Sequence, residues 1–311
     1  MSAIDIRDLT KCFGSRTVVE KLCLKVEKGS IYGLLGPNGS GKTTTLACAL
    51  GLLRPTSGSS EILGVPASKI HLLEGRLSVV FDTAIALPGL SATQNLDYIR
   101  KLLGHSRGRS NEEVLKAVDL EEHARAKVRS LSLGQAKRLA IAGALLGEPE
   151  LLVLDEPLSG LDTMAVRRML RLFRKLRDEG MTLMLSSHRL LEMQTVITHA
   201  GILFGGKIVK HGTLDEVIGL DLNEFAITVD KADKAKKAIA TMKGAEWLSS
   251  EALGNGLSRV VVRTPGIEVG AMNRILVNKG VAVSAIGSST HSLQTVFESI
   301  VDEKEAEEVG L

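Results

Sequence analysis

The chain has 311 residues, 44% apolar and 24% charged, an ordinary globular balance at a length that divides into about two domains. Lys and Arg number 39 against 36 Asp and Glu, a net charge of +3, and aromatic residues make up only 3%; neither a large positive field nor base-stacking platforms favour nucleic acid. No run of 18 apolar residues occurs, so no segment is expected to span a bilayer, and the N-terminus, MSAIDIRDLTKCF, lacks the apolar stretch of a signal peptide.

In chain order, Ile4–Leu9 and Val18–Val26 read as strands around a KCFGSR turn, mixing β-branched and polar residues. Ser30–Leu35 is a short apolar run, followed by a Gly-rich loop and a helical pattern from Lys42 to Leu50. Arg54–Gly58 and Gly64–Pro66 are rich in turn residues. From about Gln94 to Leu146 the pattern is mostly helical, with Asn95–Leu103 and Asn111–Val118 repeating apolar residues at three and four. Leu151–Leu154 is a continuous apolar run bounded by Pro149 and Asp155, as a buried parallel strand would be. Thr163–Glu179 predicts an amphipathic helix; Thr182–Ser186 and Ala200–Phe204 predict further buried strands. The alternation defines an α/β layer. Beyond about Leu220, predicted strands at Phe225–Val229, Val260–Val262 and Val281–Ile286 interleave with helices at Ala232–Met242, Val269–Lys279 and Ser292–Ile300. This order suits a small ferredoxin-like α+β domain. The acidic end, Asp302–Val309, is expected to fray.

Two segments carry chemistry. Gly36, Pro37, Asn38, Gly39, Ser40, Gly41, Lys42 and Thr43 fit G-x-x-x-x-G-K-[ST] between a strand and a helix, the context that a phosphate-binding loop needs. Its glycines let successive N–H groups form an anion nest at a helix N-terminus. Lys42 supplies a point charge for the outer phosphates and Thr43 a hard oxygen for Mg²⁺; Thr44 follows in the same turn. The second segment, Leu151-Leu-Val-Leu-Asp155-Glu156, lifts two carboxylates from the C-terminal end of a strand, where ligands of parallel sheets bind. Asp155 would orient Mg²⁺ through water, and Glu156 would polarise an attacking water as general base.

From Ile4 to Ile218 the sequence resembles the ATP-binding subunit of ABC transporters. Four further matches carry the resemblance: Leu131-Ser-Leu-Gly-Gln135 at the signature position, followed by AKRLAIAGALL; Ser159-Gly-Leu-Asp162 as the D-loop; His188, in Ser-Ser-His, as the switch histidine; and Phe13, in LTKCFG, as the adenine-stacking aromatic. The resemblance implies a P-loop fold with a RecA-like parallel sheet, an antiparallel β subdomain and an α-helical subdomain at about 83–147. It places the nucleotide-binding domain at 1–220 and an accessory α+β domain at 221–311. It implies that Ser132, Gly134 and Gln135 form a second anion site facing ATP held by another subunit. One chain is then half of a head-to-tail sandwich, a homodimer of two copies around two ATP and Mg²⁺. His188 would contact the γ-phosphate, and Asp162 would signal between the sites.

Two departures refine the resemblance. Leu133 replaces the first signature glycine, and Asp82, in LSVVFD, stands where the family has Gln. Both, with the phrase SLGQAKRLAIAGALL, look most like bacterial subunits that export antibiotics, peptides or other drugs. Asp82 is either a Mg²⁺ ligand or a loop acid without that role. The other histidines, His71, His105, His123, His199, His211 and His291, show no ligand spacing and read as surface residues. Trp247 and Cys48 read as packing residues. Cys12, Cys23 and Cys48 form no CxxC pair, so neither a disulfide framework nor a zinc site is expected, as suits a reducing compartment. RRMLRLFRKLR reads as a solvated helix face, with a membrane surface or an acidic partner as the other reading.

The expected function is ATP hydrolysis powering an exporter, by a cytoplasmic subunit that is peripheral to the membrane and paired with a separate permease. The alternatives are a soluble ABC-type ATPase, or an ATP-dependent switch that does not turn over. Translation factors of this type carry two nucleotide modules and repair ATPases a long coiled coil; this chain has one module and no heptad run. Asp82→Asn is expected to lower Mg²⁺-dependent turnover more than ATP binding, as steady-state kinetics beside nucleotide titration would resolve; unchanged kinetics would make Asp82 a plain loop residue.

Overall fold

In the computed structural model, which describes residues 2–81, 86–104, 108–219, 223–289 and 292–309, β1 (Ser2–Phe13) and β2 (Arg16–Glu27) form an antiparallel hairpin. Leu22, Leu24 and Val26 alternate inward along β2, the period-2 pattern of a half-buried strand. Register shifts interrupt the pairing beside Asp8 and Lys21, both with positive φ, as bulges require.

The chain then enters a second sheet at β3 (Ile31–Leu35) and passes through a loop into helix α1 (Lys42–Ala49). It returns to the hairpin as β4 (Ser57–Ile62) and β5 (Val65–Pro66), completing a four-stranded sheet in the order β2-β1-β4-β5. These two strands overlap stretches read from sequence as turns. SGSSEI has little strand propensity of its own, and its pairing with β1 overrides composition. Gly58, at φ +86°, lies so close to the Asp8 carbonyl that a Cβ has no room.

After β6 (Leu77–Val80), three helices follow: α2 (Ala92–Leu103), α3 (Asn111–Ala117) and α4 (Leu133–Leu145). Each opens on a capping box, Ser91 with Gln94, Ser110 with Glu113 and Ser132 with Gln135. The serine takes the N3 amide while the N3 side chain takes the serine amide, and each serine is worth about 1 kcal/mol of helix stability.

The rest of the large sheet is β7 (Leu151–Leu154), β8 (Thr182–Ser187), β9 (His199–Phe204) and β10 (Lys207–Thr213), with α5 (Thr163–Asp178) and α6 (Leu190–Gln194) between strands. The order is β10-β9-β3-β8-β7-β6. All neighbours run parallel except β10, which is antiparallel to β9. Every residue of β3, β7 and β8 is buried, which explains the apolar runs of β3 and β7 and of Leu183–Leu185 within β8. β10, half-exposed at the sheet edge, was not read from sequence. The expected P-loop α/β core and antiparallel β sheet are present.

A short helix α7 (Leu214–Ile218) follows. The chain divides into two units, Met1–Val217 with Phe297–Leu311, and Ile218–Val296. The second unit is β11 (Glu224–Val229), α8 (Ala232–Ile239), β12 (Glu246–Gly254), β13 (Leu257–Arg263), α9 (Val269–Asn278) and β14 (Val283–Ser288), in the order β12-β13-β11-β14. All its pairings are antiparallel, the ferredoxin-like arrangement expected. Ile227, Val229, Val260 and Val262 meet Ala235, Ile239, Met272 and Leu276 in its core, with Trp247 packed against it. β12 escaped the sequence reading because nearly all of EWLSSEALG is exposed. The last helix, α10 (Leu293–Val309), runs through the acidic stretch expected to fray.

On α5, Val166, Met169, Leu170, Phe173 and Leu176 face inward, the stripe of an amphipathic helix. Phe173 is fully buried. Phe173→Ala is expected to cost about 3–5 kcal/mol, read as a lower urea midpoint for the first unit.

Candidate nucleotide site

The loop from Gly36 to Gly41 needs glycine at two positions for different reasons. A Cβ on Gly36 would overlap the Leu203 carbonyl; one on Gly41 would lie 2.8 Å from the Val18 carbonyl, at φ +105°. Gly41 is the N-cap of α1 and offers no side-chain acceptor, and no acid stands in the first turn. The first amides of α1 are therefore left to an outside anion, aided by the helix dipole. Asn38 and Gly39 are exposed, Pro37 and Thr44 half-buried. Ser40 Oγ is buried without a hydrogen-bond partner, a hydroxyl that a phosphate oxygen would satisfy. Lys42 is 6% exposed. Its Nζ donates to the carbonyls of Gly36 at 2.9 Å and Pro37 at 3.1 Å and lies 3.1 Å from Glu156 Oε1.

The parallel register delivers the acids to this loop. Leu35 is level with Ser187, and Leu154 with Leu185, so the C-terminal ends of β3, β7 and β8 converge. Thr43 Oγ1 donates to Asp155 Oδ2 at 2.7 Å. Ser186 Oγ donates to Asp155 Oδ1 and accepts from the Glu156 amide at 2.9 Å. Glu156 holds φ +47°, costly for a residue with a Cβ. Its carboxylate is bracketed: Oε1 faces Lys42, and Oε2 is 2.9 Å from His188 Nδ1. Lys42, Thr43, Asp155, Glu156 and His188 thus form one cluster.

Ser132, Gly134, Gln135, Asp162 and Phe13 occupy other places. Ser132 is exposed; its Oγ accepts from the Gln135 amide at 3.3 Å, and Gln135 Oε1 accepts from the Ser132 amide at 2.8 Å. Gly134 is buried, with room for a Cβ only 3.1 Å from that of Ala165. Asp162 caps α5 by accepting from the Ala165 amide at 2.8 Å, so the starts of α4 and α5 are packed together. Phe13 is 50% exposed, with Lys11 Nζ 4.9 Å from its ring centroid. Asp82, His105 and His291 lie outside the described residues.

Three contributors were not singled out from sequence. Ser186 bridges the two acids, although Ser-Ser-His had drawn attention only to its histidine. Lys137 Nζ donates to the Glu156 carbonyl at 2.9 Å, a contact that no local motif signals. Arg189 donates to the carbonyls of Leu158 and Leu161 and so fixes the D-loop. His123, read as a surface residue, is half-buried with Nε2 2.7 Å from Gln135 Nε2. Cys48 is buried as expected, and burial pushes its thiol pKa up.

Residues 19–159 match the family model described as ABC transporter. The bacitracin transport ATP-binding protein of Bacillus licheniformis is 34% identical over 301 residues, 96% of this chain and 97% of that protein. The lantibiotic transport ATP-binding protein of Streptococcus pyogenes is 34% identical over 212 residues, 68% of this chain and 91% of that protein. Among solved structures, an ATP-binding subunit of an ABC transporter aligns at TM-score 0.61 with 26% identity, covering 70% of this chain and 92% of that one. A dimeric ATP-binding cassette in a post-hydrolysis state, bound to ADP and Pi, aligns at TM-score 0.60 with 25% identity, covering 68% and 98%. The chain belongs to the ATP-binding subunits of ABC transporters. It is an ATPase, and among the described residues no helix is long and apolar enough to cross a membrane.

Lys42→Ala removes the one ammonium inside the loop. It is expected to abolish most binding of a fluorescent ATP analogue, measured by titration; retained affinity would contradict the phosphate role.

Proposed function

We propose that two copies of this chain, set head to tail, close on two ATP molecules and drive a separate membrane permease that exports an antibiotic, peptide or other drug. The observation that carries the catalytic part is the bracketed Glu156 carboxylate, 3.1 Å from Lys42 and 2.9 Å from His188. The cargo class rests on relatives named for bacitracin and lantibiotic transport and for Nod factor export.

In this reading Phe13 stacks on adenine, while Gly36–Thr44 and the first amides of α1 hold the phosphates, with Lys42 on the β- and γ-phosphates. Thr43 Oγ1 and Asp155 Oδ2, 2.7 Å apart, are the hard oxygens that fit Mg²⁺. The ion would neutralise charge on the transferring phosphoryl group. Asp82 is kept as a further candidate ligand. Glu156 takes a proton from water as the water oxygen attacks the γ-phosphorus; the bond to the β-phosphate oxygen breaks, and ADP and phosphate leave. His188 orients Glu156 and the water.

Ser132, exposed at the start of α4, and the backbone of Gly134 beside it would meet the γ-phosphate held by the second copy, with Gln135 fixing the helix start. Asp162 would sit between the two sites. A nucleotide bridging both copies only when closed has the differential affinity needed to drive closure. We assign 1–220 as the nucleotide-binding domain, with about 83–147 as its helical subdomain, and 221–311 as an accessory domain. The working position is the cytoplasmic face of the membrane. A soluble ABC-type ATPase, or a switch without turnover, is the second reading; the Glu156–His188 pair argues against the switch.

Glu156→Gln keeps the shape of the side chain and removes the base. It is expected to trap an ATP-bound dimer eluting earlier on size-exclusion chromatography; a monomer with ATP would overturn the sandwich.

A further inference from the structure

We infer that Lys137 is a positioning residue through which the signature helix α4 sets the backbone of Glu156. The inference rests on the reading of Glu156 as the general base. Glu156 is a left-handed residue with a Cβ, at φ +47°, and it precedes Pro157, which narrows its choices further. Such a conformation persists only where surroundings over-determine it. Side chains from two other elements hold its peptide groups: Ser186 on β8 takes its amide at 2.9 Å, and Lys137 on α4 gives a proton to its carbonyl at 2.9 Å. The Ser159 amide also reaches that carbonyl, at 3.1 Å, but it belongs to the same loop and travels with it. Lys137 is the contact that comes from the helix.

Lys137 is 9% exposed and lines a small cavity with Asp155, Pro157 and Met169. Taking an ammonium this far from water is costly, and Leu or Met would fill the space without that cost. A charge-assisted bond to a carbonyl gives the ammonium a directional task. The next residue, Arg138, donates to the carbonyls of Val118 and Asp119 at 2.8 Å. Adjacent side chains of α4, about 100° apart around the helix, therefore fasten it to the end of α3 and to the loop that bears the base, while its N-terminus presents Ser132 to solvent. Displacement of α4 on engagement at Ser132 moves the Glu156 carbonyl, and with it the carboxylate.

The test is steady-state ATP hydrolysis by the full chain carrying Lys137→Met, Lys137→Arg or Glu156→Gln, with thermal melting and ATP-analogue titration in parallel. Misplacing a reacting group slightly costs roughly 10- to 100-fold, so Lys137→Met is expected to lower kcat by about that factor. KM and analogue affinity should stay within about twofold, the signature of an interaction felt only in the transition state. Lys137→Arg keeps a donor and is expected to recover most of the loss. Adding Lys137→Met to Glu156→Gln should lower turnover no further, because both act through one carboxylate. If the Met variant does not fold, Lys137→Gln, with a shorter donor, is expected to give an intermediate kcat at unchanged KM. Wild-type kcat in Lys137→Met, kcat and affinity falling together, or an additive double variant would overturn the inference. Wild-type turnover in Glu156→Gln would instead overturn the reading of the base.

Discussion

The buried ammonium of Lys42 and the Glu156 carboxylate, 3.1 Å apart, set the terms for the rest of the site. An ammonium only 6% exposed is unfavourable unless hydrogen-bond acceptors and negative charge surround it. The Gly36 and Pro37 carbonyls supply part of that surrounding, and the loop can offer them only because its glycines allow the chain to fold back over the lysine. The remaining charge comes from a different strand. In the proposed function, a triphosphate in the loop would compete with Glu156 for the same cation. In that proposal the displaced carboxylate would keep His188 and be available to a water.

That exchange demands that three strands end at one height. The fully buried strands β3, β7 and β8 provide it. With every side chain of these strands packed on both faces, a slip of one residue would move each into a space shaped for another. The parallel register places Leu35 beside Ser187 and Leu154 beside Leu185. Ser186, wholly buried, then touches both acids at once. One hydroxyl has a single proton and can accept as well; here it gives the proton to Asp155 and accepts the Glu156 amide. Replacing it with alanine would leave two buried groups unmatched.

What the sequence revealed follows from how local each signal is. Gly36–Thr43 and Leu151–Glu156 were legible because loop, cap and strand all lie within a few consecutive residues. The signature and D-loop assignments rest on resemblance, because their proposed partner is a second nucleotide site; the contact of His188 with Glu156 is within the chain. β4 was not legible: SGSSEI becomes a strand by pairing with a distant segment, Ile4–Thr10 of β1. β12 and β10 lie at sheet edges, where exposure erases alternation. Ser186 and Lys137 were missed for a related reason. Each acts on Glu156 from 30 and 19 residues away in sequence, and on paper a serine within a buried strand or a lysine on a helix looks like many others.

The starts of α1 and α4, both assigned to phosphate in the proposed function, use opposite devices. α1 begins at Gly41 with no side-chain cap, leaving its amides open to an anion. α4 begins at Ser132, whose oxygen already accepts the Gln135 amide. Accepting there leaves the hydroxyl proton free, so Ser132 can stabilise its own helix and still donate outward. The neighbouring glycine has a separate task. A Cβ at Gly134 would crowd Ala165, and Ala165 is the residue whose amide Asp162 caps. Close packing at Gly134 would therefore carry a push on α4 into the start of α5, as the proposal has the Lys137 contact carry it into Glu156. The tolerated change is Leu133, 52% exposed, which replaces the usual glycine and leans on Gly160. A side chain at Leu133 reaches solvent beside Gly160, whereas one at Gly134 would crowd Ala165 on α5.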